Sequence, residues 1–297
     1  IFDSLDEQTT LILNADDPGL MKATLSFPGK IVTYGINKTK ESHQKTINFS
    51  VDEAYCPNCH KKLIYSYYHY GHIGSYYCPN CDFKRGNPDY VGTKLDLKNQ
   101  TMNINNKEIH LNKDFLFTAY ASIAAYALCD TIKVPEEKIL DTFNKEKIPT
   151  KRGHDIKLGT RTITMLESKN ENALSYYQSL KYIINAEGKK VVILGFDNVS
   201  RRYKYNDLSW LWDVEFELLN DESIEKIILI GRFKWDVRVR LEYAKIPDEK
   251  IYMLDDLNDI VHVLKTETKG NVYTMVCFDM TEILLKKFKE DPANGNH

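Results

Sequence analysis

Four cysteines arranged as two identical turns are the residues of this sequence best suited to chemistry. Cys56-Pro-Asn-Cys59 and Cys78-Pro-Asn-Cys81 are separated by eighteen residues. Each turn can aim two sulfurs at one point, and two such turns at the ends of a hairpin supply the four thiolates of a tetrahedral zinc site. Cys56, Cys59, Cys78 and Cys81 are therefore the expected ligands of one zinc ion. A complete four-sulfur set leaves no vacancy for His60, His69 or His72. Such a site is a staple rather than a reaction centre, because catalytic zinc keeps a position open for water or substrate. A disulfide framework would instead accompany an export signal and a small cysteine-dense fold. The sequence shows neither.

The elements that must hold these turns are legible around them. Leu63 to Tyr77 is rich in aromatics and broken by Gly71 and Gly74, as two short strands around a turn would be. The whole module, about residues 54–90, reads as a zinc ribbon inserted between strands, with a small core of its own. Before it, Thr9 to Leu13 is a buried-strand pattern running into Asn14-Ala-Asp16-Asp17-Pro18 with almost nothing ahead of it, so the first domain is expected to be incomplete. Ile31 to Tyr34 and Thr46 to Val51 read as further strands, and Thr93 to Leu97 with Met102 to Ile104 as a pair resuming after the ribbon. Phe115 to Leu128 is apolar on nearly every side, as a buried helix is. Glu136 to Asn144, following Pro135, reads as a second helix.

The polar run from Lys145 to Gly153 places a boundary near residue 150, giving domains at 1–149 and 150–297. Beyond it, Arg161 to Leu166, Val191 to Phe196, Lys226 to Ile230, Ile251 to Leu254 and Val272 to Cys277 are short β-rich runs alternating with helical ones. That alternation predicts a mostly parallel sheet with helices on both faces, in an α/β class. Ligands of such sheets sit beyond the carboxyl ends of the strands. Asp197, Asn198, Gly231 and Arg232 fall there.

The 297 residues, 42% hydrophobic, suffice for two cores and a small module. No apolar run approaches the roughly 18 residues of a membrane span, and the first residues lack the marks of a signal peptide. A reducing cytoplasm is the expected compartment, and Cys129 and Cys277, in apolar surroundings, are expected to be inert buried thiols. With a net charge of −2 and ribbon lysines offset by Asp82 and Asp89, no nucleic-acid partner is expected. The chain contains no Gly-Lys-Ser/Thr phosphate loop, no Gly-x-Ser-x-Gly elbow, no HExxH pair and no dinucleotide fingerprint.

The order of parts carries a resemblance. A strand ending in Leu-Asn-Ala-Asp-Asp-Pro, an Ala-Ala-rich buried helix and a separate C-terminal α/β domain resemble the central and C-terminal domains of the Mur ligases. The inserted ribbon and the run Asp207-Leu-Ser-Trp210-Leu-Trp-Asp213-Val-Glu-Phe216-Glu are similar to the MurT family, the ligase-type subunits of lipid II isoglutaminyl synthase. The fold so implied is a truncated Mur-ligase central domain with an inserted four-cysteine zinc ribbon, followed by a Rossmann-like C-terminal α/β domain. The activity implied is ATP- and Mg²⁺-dependent amidation of the D-glutamate α-carboxylate of lipid II, with ammonia from a GatD-type glutaminase partner. It would be performed at the inner face of the membrane of a Gram-positive-type bacterium.

By the same resemblance Asp207 faces the partner and completes its Cys-His pair, while Asn14 and Asp16 lie near the nucleotide. Read from the residues alone, Asp207 is equally a helix cap, and Asn14 and Asp16 equally a turn held by Asx hydrogen bonds. The chain departs from the family at Ala121, where an asparagine near the adenine is replaced, at Gly153-His154 in place of Gly-Arg, and over Ser168 to Ala173. The ATPase portion with its phosphate loop is not in this sequence, so the chain by itself is expected to be inactive. A diverged paralogue without ligase activity and a zinc-ribbon binding protein are the alternatives.

Overall fold

A computed structural model describes residues 4–45, 53–145, 153–166, 173–197 and 207–290. It divides between Ile148 and Pro149 into two units. The strand expected over Thr46 to Val51, residue Asn198 and most of the polar run before Gly153 lie outside the described residues.

In the first unit the elements run β1 (Thr10–Asn14), α1 (Pro18–Lys22), β2 (Lys30–Ile36), β3 (Ile64–Tyr70), β4 (Ile73–Tyr77), β5 (Tyr90–Asp96), β6 (Thr101–Ile104), β7 (Lys107–His110), α2 (Leu116–Thr131) and α3 (Glu136–Lys145). Five strands form a sheet in the order β1-β2-β5-β6-β7. The first three are parallel and the last two turn back antiparallel. Helix α2 covers this sheet because Ala119, Ile123, Tyr126 and Ala127 recur at helical spacing and are buried. Ala119, Ile123 and Tyr126 pack with Ile36, Met102, Ile104 and Ile109.

The ribbon hairpin β3-β4 is a separate two-stranded sheet, inserted in the chain between the parallel neighbours β2 and β5. Its own cluster is small, with Leu63, Tyr76 and Phe83 packed around Cys56 and Cys78. Besides this small core of its own, the hairpin reaches the main one: Ile73 at its tip is buried there, with Tyr70 packed against it. A hairpin with so few apolar residues gains burial by sharing a neighbour's core.

The second unit runs β8 (His154–Leu158), β9 (Arg161–Met165), α4 (Ala173–Asn185), β10 (Lys190–Gly195), two 3₁₀ turns at Ser209–Asp213 and Phe216–Asn220, β11 (Ile224–Ile230), α5 (Lys234–Tyr243), β12 (Ile251–Met253), α6 (Ile260–Glu267), β13 (Asn271–Val276) and α7 (Phe278–Lys289). The sheet order is β12-β11-β10-β13-β9-β8, parallel except for the edge strand β8. Every residue of β10 is buried, as a central parallel strand covered on both faces requires. Val191, Ile193, Ile228 and Val276 of the strands pack against Leu264 of α6 and Leu284 and Phe288 of α7. From β10 the chain moves outward through β11 to β12 and returns to β13 on the other side of β10. This reversal is the switch point at which open α/β sheets bind ligands.

Candidate functional site

The two cysteine turns close in the same way. An antiparallel bridge pairs Tyr55 with Lys62 around the first and Tyr77 with Lys84 around the second. Within them, the Cys56 amide donates to Lys61 O at 2.8 Å and the Cys78 amide to Phe83 O at 2.8 Å. His60 takes a left-handed φ of 57°, which turns the chain back after Cys59. All four sulfurs lie within 4.8 Å of one another, with Cys56 Sγ to Cys81 Sγ and Cys59 Sγ to Cys78 Sγ each 3.4 Å. Four sulfurs about 2.3 Å from one tetrahedral zinc would stand roughly 3.8 Å apart, so the set fits such an ion. The Lys61 amide, donating to the sulfur, favours the Cys59 thiolate, whereas the crowding of the other three sulfurs opposes ionisation of Cys81, so a cation at the centre is what would let all four cysteines serve as thiolates. When bound, the ion would supply cross-linking and no open coordination position.

Of the histidines near the ribbon, His69 is buried and bonds by Nε2 to Ile36 O at 3.0 Å, and His72 stands 3.6 Å from the Asp17 carboxylate. His69 thus docks the hairpin onto the end of β2.

Asn14 and Asp16 come together at the carboxyl end of β1. Asn14 Oδ1 accepts the Asp16 amide at 3.1 Å, the Asx bond that favours asparagine at a turn. The Asp16 carboxylate is 0% exposed. Its Oδ1 receives Arg85 Nε at 2.5 Å, and its Oδ2 receives the Tyr120 hydroxyl at 2.7 Å and the Ile36 amide at 2.9 Å. Arg85 loses solvation on burial, but the Asp16 charge more than compensates and holds its guanidinium above the usual value. Burial and the same charge push the Tyr120 hydroxyl well up. Gly35 makes room for the ion pair: a β-carbon there would stand 2.4 Å from Asp16 Oδ1 and 2.9 Å from Arg85 Nη2. With its oxygens engaged and enclosed, Asp16 shapes this strand end rather than offering a free ligand. Ala121, next to Tyr120, is on the exposed side of α2.

In the second unit Asp207 is exposed and its Oδ1 accepts the Ser209 amide at 2.8 Å. That donation holds its carboxyl below the usual value, so the group is an anion at neutral pH. The cap-like bond and the exposed charge coexist. The turns behind it are fixed by Arg240 of α5, a residue that sequence reasoning does not single out. Buried at 5% exposure, it donates to Leu211 O at 3.3 Å and Val214 O at 2.8 Å and pairs with the Glu217 carboxylate at 2.9 Å. Its guanidinium also lies over the rings of Trp212 and Phe216.

The two tryptophans of this segment part company. Trp210 packs on Tyr176 and Phe196, with ring centroids 5.0 and 5.9 Å away, while Trp212 is 52% exposed and meets the exposed Tyr243 edge-on. Leu208, Ser209, Trp212, Asp236, Val239 and Arg240 line a shallow cavity of about 250 Å³. At the switch point, Asp197 Oδ1 accepts the Arg232 amide at 2.7 Å and the Asp197 amide lies 3.4 Å from Cys277 Sγ, which ties β10 to both neighbouring strand ends.

The chain is similar to several known proteins. Residues 169–280 match the family model for the MurT ligase C-terminal domain. The MurT subunit of lipid II isoglutaminyl synthase (glutamine-hydrolyzing) from Staphylococcus aureus strain COL is 30% identical over 238 residues, 80% of this chain and 52% of that protein. The subunit of the same name from Streptococcus pneumoniae is 25% identical over 282 residues, 91% of this chain and 59% of that protein. The chain therefore spans a little over half the length of these relatives. Among solved structures, a pseudomurein peptide ligase type C from Methanothermus fervidus superposes with a TM-score of 0.67 at 18% identity, covering 95% of this chain and 56% of that one. MurF from Acinetobacter baumannii gives 0.62 at 15%, covering 98% and 54%. The chain thus carries a MurT ligase C-terminal domain over residues 169–280 and is similar to MurT subunits over most of its residues, within a Mur-ligase-like α/β fold.

Proposed function

We propose that the chain is the ligase-type subunit of an ATP-dependent amidotransferase that converts the D-glutamate α-carboxylate of lipid II to D-isoglutamine. In this reading Mg²⁺ accompanies the nucleotide, a GatD-type glutaminase supplies the ammonia, and the four cysteines hold a structural zinc ion. The observation that carries the reading is Asp207, an exposed anion on a turn clamped by Arg240, inside a domain matching the MurT C-terminal model. Such a carboxylate can orient a partner's histidine and stabilise its imidazolium, as the third member of a triad does. Asn14 and Asp16 enter as the residues that shape the β1 end near which the nucleotide would lie. No helix among the described residues is long and apolar enough to cross a membrane, which suits a subunit working at the cytoplasmic face on a lipid-linked substrate.

The test is to co-purify the chain with a candidate glutaminase and to measure complex affinity and glutamine hydrolysis side by side for wild type and Asp207→Asn. Retained affinity with hydrolysis lowered by orders of magnitude, about 10⁴-fold where a triad aspartate is replaced by asparagine, is the expected outcome. Asparagine caps about as well as aspartate, so unchanged hydrolysis would leave Asp207 a cap alone. Failure of the wild-type chain to bind any glutaminase would remove the partner from the reading.

A further inference from the structure

We propose that Arg85 is a positioning residue through which the metal-organised ribbon holds the Asn14–Asp16 strand end in shape, so that metal occupancy and the order of that strand end are one equilibrium. The proposal rests on the four-cysteine site and is independent of the reaction the protein takes part in.

The path is short. Arg85 lies four residues beyond the ligand Cys81, and its amide donates to Tyr76 O at 2.9 Å, on the ribbon's second strand. Its backbone is therefore set by the second cysteine turn. From there its side chain, 8% exposed, crosses to Asp16 in the main sheet and also approaches Ile36 O at 3.3 Å and Asn37 Oδ1 at 3.3 Å. Other ribbon residues converge on the same point. The Tyr67 hydroxyl donates to Ile36 O at 3.1 Å, His69 reaches the same oxygen, and the Gly74 amide donates to Asp16 O at 3.0 Å. Three ribbon side chains and one ribbon amide thus meet the ends of β1 and β2 within one enclosed cluster.

The asymmetry of the cluster gives the coupling its sign. An enclosed carboxylate is tolerable only while its charge is answered. Arg85 is the cation that hydrogen-bonds Asp16, because the Tyr120 hydroxyl and the Ile36 amide are neutral donors. The ribbon's own cluster has few apolar side chains, so the position of its second turn depends on the ligand cross-link. Loss of the ion withdraws the constraint on Arg85, and Asp16 must then find solvent. The β1 and β2 ends, held by the amides of Asp16 and Ile36, would open with it.

Hydrogen exchange reads this directly. In the intact chain, removing the metal with a chelator should raise exchange at the Ile36 and Gly74 amides about tenfold or more, the range expected when a charge-assisted bond is lost. Met102 and Ile109 on β6 and β7, and the second unit, should keep their protection. Arg85→Ala should produce the same rise at Ile36 while the protein still carries one metal ion per chain, and chelation of that variant should add little more. Arg85→Lys, which keeps the charge but loses the fork, should fall between the two; it also serves if Arg85→Ala fails to fold. Exchange at Ile36 that ignores the chelator in wild type would overturn the proposal. So would a chelation effect in Arg85→Ala as large as in wild type, because the signal would then bypass the side chain.

Discussion

Truncating Arg240 is the substitution whose cost follows most directly from the geometry. Arg240→Ala leaves Leu211 O and Val214 O without their charged donor, and bonds of that kind contribute about 1.5–3 kcal/mol each. At 3.3 Å the first belongs at the low end of that range. The pair with Glu217, whose side chain is 50% exposed, adds about 1 kcal/mol or less, and loss of the guanidinium over two rings adds about as much again. The total is roughly 4 kcal/mol, near the upper end of what single substitutions do. In a unit of this size that lowers the melting transition by about 10 °C. Circular dichroism melts of the intact chain should show this drop, and emission from Trp212 should change as its cation neighbour leaves. Arg240→Lys, without the planar fork, should lose about half as much. A shift under about 3 °C for Arg240→Ala would falsify the clamp, because the two 3₁₀ turns would then be holding themselves.

Two further substitutions test buried charge. Burial, reinforced by the neighbouring Glu217, pushes the Glu215 carboxyl up to about 7, and its Oε2 is enclosed without a hydrogen-bond partner. The folded chain therefore binds this proton more tightly than the unfolded one, so the contribution to stability is fully present below about pH 4.5 and is lost as pH rises through 7. Discounted for a side chain still partly solvated, the loss is about 1–2 kcal/mol; Glu215→Gln should flatten that slope in chemical denaturation between pH 5 and 8, and an unchanged slope would place the titration elsewhere. Gly35→Ala sets a methyl group 2.4 Å from Asp16 Oδ1 and should cost roughly 1–3 kcal/mol by overpacking, whereas the same change at Gly86, which has open space around it, should cost far less; equal melting temperatures for the two variants would refute the crowding argument.

What the sequence made legible was what local spacing controls. The cysteine turns could be read because each needs only four residues to place two sulfurs. Strands β10, β11 and β13 could be read because buried parallel strands are unbroken apolar runs. Edge strands were harder: β7 buries only Ile109 of its four residues, and β8 only Ile156 and Leu158, so neither announces itself among polar neighbours. The meeting of Asp16 with Arg85 joins residues 69 apart, and no periodicity records such a pairing. Arg240 is hidden for a related reason. On α5 the buried face is Val237, Arg240 and Leu241 while the large apolar residues Trp235, Val239 and Tyr243 are exposed, so an arginine stands where the pattern would place a third apolar residue. Trp210 and Trp212 show the limit at its sharpest: two identical side chains two positions apart are placed on different sides because the segment is a helical turn, whereas an extended strand would have put both on one face.

The place of the ribbon in the chain also bears on the order in which the first sheet can assemble. Parallel neighbours such as β2 and β5 cannot be joined by a tight turn and need a long crossover, usually a helix that forms quickly by itself. Here the crossover from Ile36 to Tyr90 carries the four-cysteine hairpin instead. Once Cys56 and Cys81 meet at one ion the free path between the two strands is shortened by roughly half, which by loop-closure entropy lowers the cost of pairing them by about 0.6 kcal/mol, a factor of about three in rate if closure is limiting. The register Tyr34 with Tyr90 and Ile36 with Gly92 would then be reached sooner in a metal-loaded chain: during refolding a bound ion would act as a kinetic shortcut, apart from any part it plays in the finished structure.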